Sequence, residues 1–309
     1  MTKRLLRAFL ASTDGTLFLP SGSAGLRDTL TVDDAVVPEA LWAERGDEPR
    51  LLFLPSVSVV IPALNEEANI GWVLRRMPAW VEEVIVVDGG SHDHTVDVAR
   101  ALWPGVVVIT ELRKGKGAAL RAGFAAATCE VIVMIDADGS MDPAETEAYV
   151  RVIDEGGYDL VKGSRTQPGG GSADLTLPRR LGNSVLRSLV NVLYSVDLSE
   201  LCYGFMALRR TTVPLLELSS DGFEIETEIV VQSLRRGLSI AEIPSREAER
   251  LNGRSHLRPI RDGFRVLSTI VRLLSWDTSP PGPGSERRHR QPPSLRLQPL
   301  WINTEKIVH

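Results

Sequence analysis

From Ser56 onward, short β-branched runs alternate with stretches in which apolar residues recur every three or four positions. The runs are Val57–Ile61, Val84–Val87, Val106–Ile109 and Val131–Ile135, with a helical pattern between each and the next. The alternation predicts βαβ units: an α/β fold with a Rossmann-like, mostly parallel sheet flanked by helices, in a single main domain. In the first helix Asn65 is expected to cap the amides that follow, with Ile70, Val73, Leu74 and Met77 on one face. Asp142 and Pro143 predict another helix start, Asp as the cap and Pro at the first helical position. Asp159–Lys162 reads as a further strand, and Gln167–Ser172, rich in glycine, is expected to be a mobile loop without regular structure.

Helices are then expected over about 178–195 and 223–236, and a strand over Leu238–Ile243. Pro259–Trp276 carries Ile260, Phe264, Leu267, Ile270, Val271 and Leu274 on one face and Arg258, Arg261, Arg265 and Arg272 elsewhere, a basic amphipathic helix. Three regions result: an N-terminal extension over 1–55 that is poorly ordered or a small appendage, a folded domain over 56–276, and a disordered Pro/Arg-rich tail over 277–309. There is no internal repeat.

Composition narrows the class. Of 309 residues 43% are hydrophobic and 24% charged, which excludes wholesale disorder and fibrous architectures. A net charge of -5 argues against a nucleic-acid partner. The charge is uneven, since residues 258–309 hold nine Arg/Lys against four Asp/Glu, and this basic end suits an anionic membrane surface. Cys129 and Cys202 lack metal-ligand spacing, and a reducing cytoplasm is the simplest setting. The apolar stretch near the start, broken by Arg7, is too short for an export signal, and no run approaches the roughly 18 apolar residues of a membrane span. A membrane contact would therefore be peripheral, through 259–276, at the inner face.

In an open parallel sheet, ligands bind beyond the carboxyl ends of the strands. Here those ends are acidic: Asn65-Glu66-Glu67 after the first strand, Asp88 and Asp93 after the second, Asp136-Ala137-Asp138 after the fourth. Carboxylates so clustered suit a hard divalent cation, Mg²⁺ or Mn²⁺, which brings a diphosphate with it. Asp136 and Asp138 are alternate residues of an extended segment and so project to one side, although Asp and Gly also make ordinary turns. Arg113-Lys114-Gly115-Lys116-Gly117, Arg165 and Arg179-Arg180 supply positive groups for phosphate oxygens; any one of them alone reads as a solvated charged face.

Taken in order, Ile61-Pro62-Ala63-Leu64-Asn65-Glu66-Glu67, Val86-Val87-Asp88-Gly89-Gly90-Ser91, Lys114-Gly115-Lys116-Gly117, Asp136-Ala137-Asp138, Gly163-Ser164-Arg165 and Tyr203-Gly204-Phe205-Met206-Ala207-Leu208-Arg209 resemble the family 2 glycosyltransferases. The branch they resemble is that of the dolichol-phosphate mannosyltransferase-like enzymes, over about 56–276. The resemblance implies a GT-A fold, a nucleotide-diphosphate-sugar donor, a divalent metal and inversion at the anomeric carbon. It places Pro62, Leu64, Glu66 and Asp88 around the nucleotide, with Lys116, Arg250 and Ser255 near the donor. Asp136 and Asp138 would address ribose, metal and diphosphate, with Ser140 standing where members often carry a Gln ligand. Arg165 and Arg179 match phosphate-holding positions, with Asn183 one turn on. Glu226, within the acidic turn Glu224-Ile225-Glu226-Thr227-Glu228, is the candidate for acceptor positioning or base. Gly253 belongs to the same Arg-x-x-Gly-x-Ser stretch as Arg250 and Ser255. His256 stands where the branch has Lys, and His92 and His94 read as loop residues.

The resemblance favours transfer of a hexose from a UDP- or GDP-sugar to a polyprenyl or dolichyl phosphate. A soluble acceptor, such as a sugar acid or specialised metabolite, is the alternative that the departures at Ser140, Asn183 and His256 keep open. A sugar-phosphate nucleotidyltransferase would carry a Gly-rich basic loop where this chain has Pro62–Glu67, and a nucleotide-sugar binder without turnover is the remaining non-enzymatic reading.

Overall fold

The computed structural model describes residues 42–45, 48–51, 54–173, 175–253 and 258–275. The chain divides into two units, 1–53 and 54–309. In the first, β1 (Trp42–Arg45) and β2 (Glu48–Leu51) pair antiparallel. The tail expected over 277–309 lies outside the described residues.

The second unit runs β3 (Val57–Ala63), α1 (Glu67–Arg76), β4 (Glu83–Asp88), α2 (Thr95–Leu102), β5 (Val107–Thr110), α3 (Lys116–Ala126) and β6 (Val131–Met134). It continues through α4 (Thr146–Gly156), β7 (Leu160–Ser164), β8 (Gly171–Ser172), α5 (Leu177–Tyr194), β9 (Met206–Arg209), α6 (Val213–Leu216), α7 (Ile225–Arg235), β10 (Ile240–Pro244), β11 (Arg246–Glu247) and α8 (Pro259–Ser275). Seven strands form one sheet in the order β10-β7-β9-β6-β3-β4-β5. All neighbours are parallel except β9, which lies antiparallel between β6 and β7. This is the predicted α/β architecture.

The strands are apolar at nearly every position because both faces are covered. Val57, Val59 and Ile61 point into the layer of α1, α2 and α4, beside Ile70, Val73, Leu74 and Met77 of the first helix. Val60, Ile85, Val87, Ile132 and Met134 point the other way, against Leu120 and Phe124 of α3, Ile229 of α7 and Val266, Ile270 and Leu273 of α8. Asp142 caps the turn leading into α4 as expected, its side chain accepting the Ala144 N–H, with Pro143 next.

Two local expectations are corrected. Asn65 does not cap α1; its φ is 55°, in the left-handed region, and its Oδ1 accepts the His92 N–H. The first amides of that end donate instead to the neighbouring loop, Glu66 N to Thr95 Oγ1 and Glu67 N to Asp93 Oδ2. The glycine-rich stretch is not wholly irregular either, because Gly171–Ser172 pairs in parallel with Arg246–Glu247, and Gly171 N donates to the Ser245 carbonyl at 3.1 Å.

Candidate active site

β6, β3 and β4 are adjacent and parallel, so their carboxyl ends open together. At the β4 end, the Asp88 carboxylate accepts the backbone N–H groups of Gly90 and Ser91 at 3.2 Å and tightens the loop that follows. At the β3 end, Pro62 is half-buried and Leu64 is exposed. Glu66 is buried; its Oε2 accepts from Asn69 at 2.6 Å and its Oε1 pairs with Arg250 Nη2 at 2.5 Å. The same guanidinium reaches Asp138 Oδ2 at 3.3 Å, so Arg250 ties the β3 end to the β6 end.

Beyond β6, Asp138 Oδ1 accepts the Ser140 N–H at 3.0 Å and its hydroxyl at 2.7 Å. Asp136 Oδ1 lies 2.5 Å from Lys116 Nζ, which also reaches Glu226 Oε1 at 2.8 Å. Gly204 permits this meeting of α3, β6 and α7, because a Cβ there would sit 2.6 Å from the Lys116 ammonium and 2.7 Å from the Glu226 carboxylate. Burial opposes the Lys116 charge, but the two carboxylates outweigh it and hold the pKa above its ordinary value. The Asp136 carboxyl is pushed up to about 6, by burial first and by its neighbours Asp138 and Glu226, against the pull of Lys116.

The structure gives Arg165 a different role from the expected phosphate grip. Its side chain is 4% exposed and donates through Nε and Nη2 to Glu200, through Nη1 to Glu247 and through Nη2 to the Cys202 carbonyl. Asn183 joins the same knot, giving Glu200 a hydrogen bond at 2.7 Å and accepting the Cys202 N–H at 3.1 Å. Both are therefore part of the scaffold joining β7, α5 and β11. Arg179 lies half-buried on the first turn of α5. Ser255 and His256 lie outside the described residues. Glu228 is also structural; fully buried, it accepts from Ser219 and Ser220 and pairs with Arg272, pinning α8 to α7. Glu224 is buried, its Oε1 accepting the Gly222 N–H at 3.1 Å.

Sequence reasoning missed Glu200, Glu247, Asn69 and Thr95. No local signal marks the first two, which stand 35 and 82 residues from Arg165.

Residues 58–213 match the profile of glycosyl transferase family 2. The chain belongs to that family. It is a glycosyltransferase with a GT-A fold, similar to the dolichyl-phosphate hexose transferase of Haloferax volcanii, with 31% identity over 70% of this chain and 93% of that protein. The dolichol-phosphate mannosyltransferase of Pyrococcus furiosus is 30% identical over 72% of this chain and 64% of its own length. Among solved structures, glucosyl-3-phosphoglycerate synthase from Mycobacterium tuberculosis, in complex with Mn²⁺, UDP-glucose and phosphoglyceric acid, superposes with a TM-score of 0.56 and 26% identity, covering 73% of this chain and 82% of that one. Among the described residues no helix of this glycosyltransferase is long and apolar enough to cross a membrane.

The oxygen donor set of this family 2 enzyme fits a hard divalent cation. Asp136 and Asp138 offer partly exposed carboxylate oxygens, the donor type such an ion takes. Among the described residues no third His, Cys, Asp or Glu completes a protein-only metal cage. The remaining ligands would then come from the Ser140 hydroxyl, water or the donor diphosphate.

Proposed function

We propose that the chain is a metal-dependent inverting glycosyltransferase that moves a hexose from a UDP- or GDP-sugar to a polyprenyl or dolichyl phosphate, working in the cytoplasm at the inner face of a membrane. The observation that carries the lipid acceptor is a pair of helices. α5 and α8 pack together, and each leaves an apolar stripe in solvent: Leu177, Leu181, Val185 and Val192 on one, Ile260, Phe264, Leu267, Val271 and Leu274 on the other. Flanked by arginines, such stripes suit the boundary between headgroups and acyl chains.

In this reading Asp88, Glu66, Pro62 and Leu64 line the nucleotide, and Asp136 and Asp138 would hold Mg²⁺ or Mn²⁺. When bound, the ion supplies positive charge against the departing diphosphate. Arg250 is poised between Glu66 and Asp138 to grip a diphosphate oxygen as the glycosidic C–O bond breaks. Glu226, held by Lys116, positions the acceptor. A phosphate acceptor arrives with a charged nucleophilic oxygen, which attacks the anomeric carbon from the opposite face without a protein base; a hydroxyl acceptor would need Glu226 or Glu224 to take its proton.

A second reading, a soluble phosphorylated acceptor, is supported by the likeness to the mycobacterial synthase crystallised with phosphoglyceric acid. The test is to follow nucleoside diphosphate release from a panel of UDP- and GDP-sugars with Mn²⁺ or Mg²⁺, with and without polyprenyl phosphate, and with EDTA. Release that needs both metal and lipid is the expected result. Release that ignores the lipid but rises with phosphoglycerate overturns the lipid acceptor, and metal-independent release overturns the metal.

A further inference from the structure

Arg258 and the first turns of α8 bring three arginines, Arg258, Arg261 and Arg265, to a cavity of about 230 Å³ whose other walls include Lys116, Gly222 and Phe223. That wall holds one acid, Asp262, whose Oδ2 accepts the Arg258 backbone N–H at 2.7 Å and starts the helix. Lys116 is neutralised by Asp136 and Glu226. Among the described residues, by contrast, neither the Arg258 nor the Arg261 side chain enters an ion pair, and the carboxylate partner of Arg265, Glu224 Oε2, is 4.0 Å away. Three guanidinium groups share one carboxylate, Asp262, in that wall, an excess of positive charge that attracts an anion.

A second observation points the same way. Glu224 Oε2 is buried and has no hydrogen-bond partner. It stands at the edge of the same wall, where a Cβ on Gly222 would lie 2.5 Å from it and 2.8 Å from Arg265 Nη1, so the glycine keeps this corner open. Unpaired cationic donors beside one unsatisfied acceptor match a group that has both anionic oxygens and a hydroxyl. A phosphate monoester is such a group, since its second pKa near about 6 leaves a P–OH on part of the population. Lys116 belongs both to this cavity and to the Asp136–Glu226 cluster, so a phosphate held here would lie next to the carboxylates at the end of β6.

We propose that this cavity is the phosphate subsite for the acceptor, with Arg258, Arg261 and Arg265 taking the place that the sequence resemblance assigned to Arg165. The proposal rests on the reading of the acceptor as phosphorylated, but it is tested without turnover. Isothermal titration with inorganic phosphate would compare the full chain with the double variants Arg261→Ala/Arg265→Ala and Arg261→Lys/Arg265→Lys. Both side chains are exposed, so the variants should fold, and thermal midpoints check that. The expected result is phosphate affinity at least tenfold weaker in the alanine pair and partly restored in the lysine pair. Equal phosphate binding by folded wild-type and alanine proteins overturns the subsite, whatever the acceptor proves to be.

Two transfer assays then identify the source of the phosphate: phosphatidylcholine vesicles containing polyprenyl phosphate, and soluble 3-phosphoglycerate. The alanine pair should raise KM at least tenfold, with less change in kcat, for whichever acceptor is used. An unchanged KM for a working acceptor overturns the proposal. Arginine-dependent phosphate binding with turnover of neither acceptor leaves the subsite standing and overturns the function proposed above.

Discussion

Two acids removed from bulk water to different degrees, Asp136 partly and Glu200 fully, end in opposite states. Burial raises the pKa of both. At Glu200 the bidentate Arg165 overcomes that cost and holds the carboxyl below its ordinary value. At Asp136 the single ammonium of Lys116 does not, because Asp138 and Glu226 add like charge, and the pKa rises to about 6. The Glu200 side chain is fully buried, whereas Asp136 and Asp138 keep 27% and 21% of theirs in contact with solvent. A saturated cluster braces the fold; a cluster with more acid than base, left partly open to solvent, keeps carboxylate oxygens within reach of a ligand.

The sharpest way to break this contrast is to remove the charge that is satisfied. Glu200→Gln should cost about 3–5 kcal/mol in denaturant unfolding, because it strands part of the Arg165 charge in the interior. The pH dependence follows from the lowered carboxyl. Its stabilisation is complete above the unfolded value of about 4.3 and drains away as pH falls through the lower folded value, so the variant should lose that acid-side slope.

On the unsatisfied side the penalty should move from stability to chemistry. Asp138→Ala is expected to lower donor turnover by about 10²–10³-fold, read from nucleoside diphosphate release, with little change in thermal midpoint. Gly204→Ala tests the bridge itself. A Cβ at 2.6–2.7 Å must part Lys116 from Glu226, and kcat/KM should fall about tenfold, equivalent to about 1.4 kcal/mol. Asp142→Ala calibrates the lower end of the scale; losing the cap into α4 and an exposed pair with Arg76 should cost about 1 kcal/mol, measured by thermal unfolding, and leave turnover unchanged.

Most of the sheet was legible because the information is local. A β-branched run followed by acids declares both a buried parallel strand and a polar end, and the expected runs Val57–Ile61, Val84–Val87 and Val131–Ile135 each lie in or overlap an observed strand. That Glu66 lies near Asp136 and Asp138 follows from the adjacency of β3 and β6, whereas Lys116 arrives from the start of α3 and Arg250 from the segment after β11. What could not be read was who answers whom across the fold. The partners of Arg165 come from loops and a strand far along the chain, and the amides at the start of α1 are met by Asp93 and Thr95 instead of the adjacent Asn65. A guanidinium near a strand end has the same sequence signature whether it grips a substrate phosphate or a buried glutamate.

The antiparallel β9 carries a further message about synthesis. Residues 206–209 insert between β6 (131–134) and β7 (160–164), and β7 meets β10 on its other side. A nascent chain that has not yet reached Met206 therefore leaves one edge of β6 and both edges of β7 without partners. Bare strand edges invite pairing with other chains, so a partly made chain carries this liability until β9 and then β10 add to the sheet. The sheet is completed late, by two non-local additions.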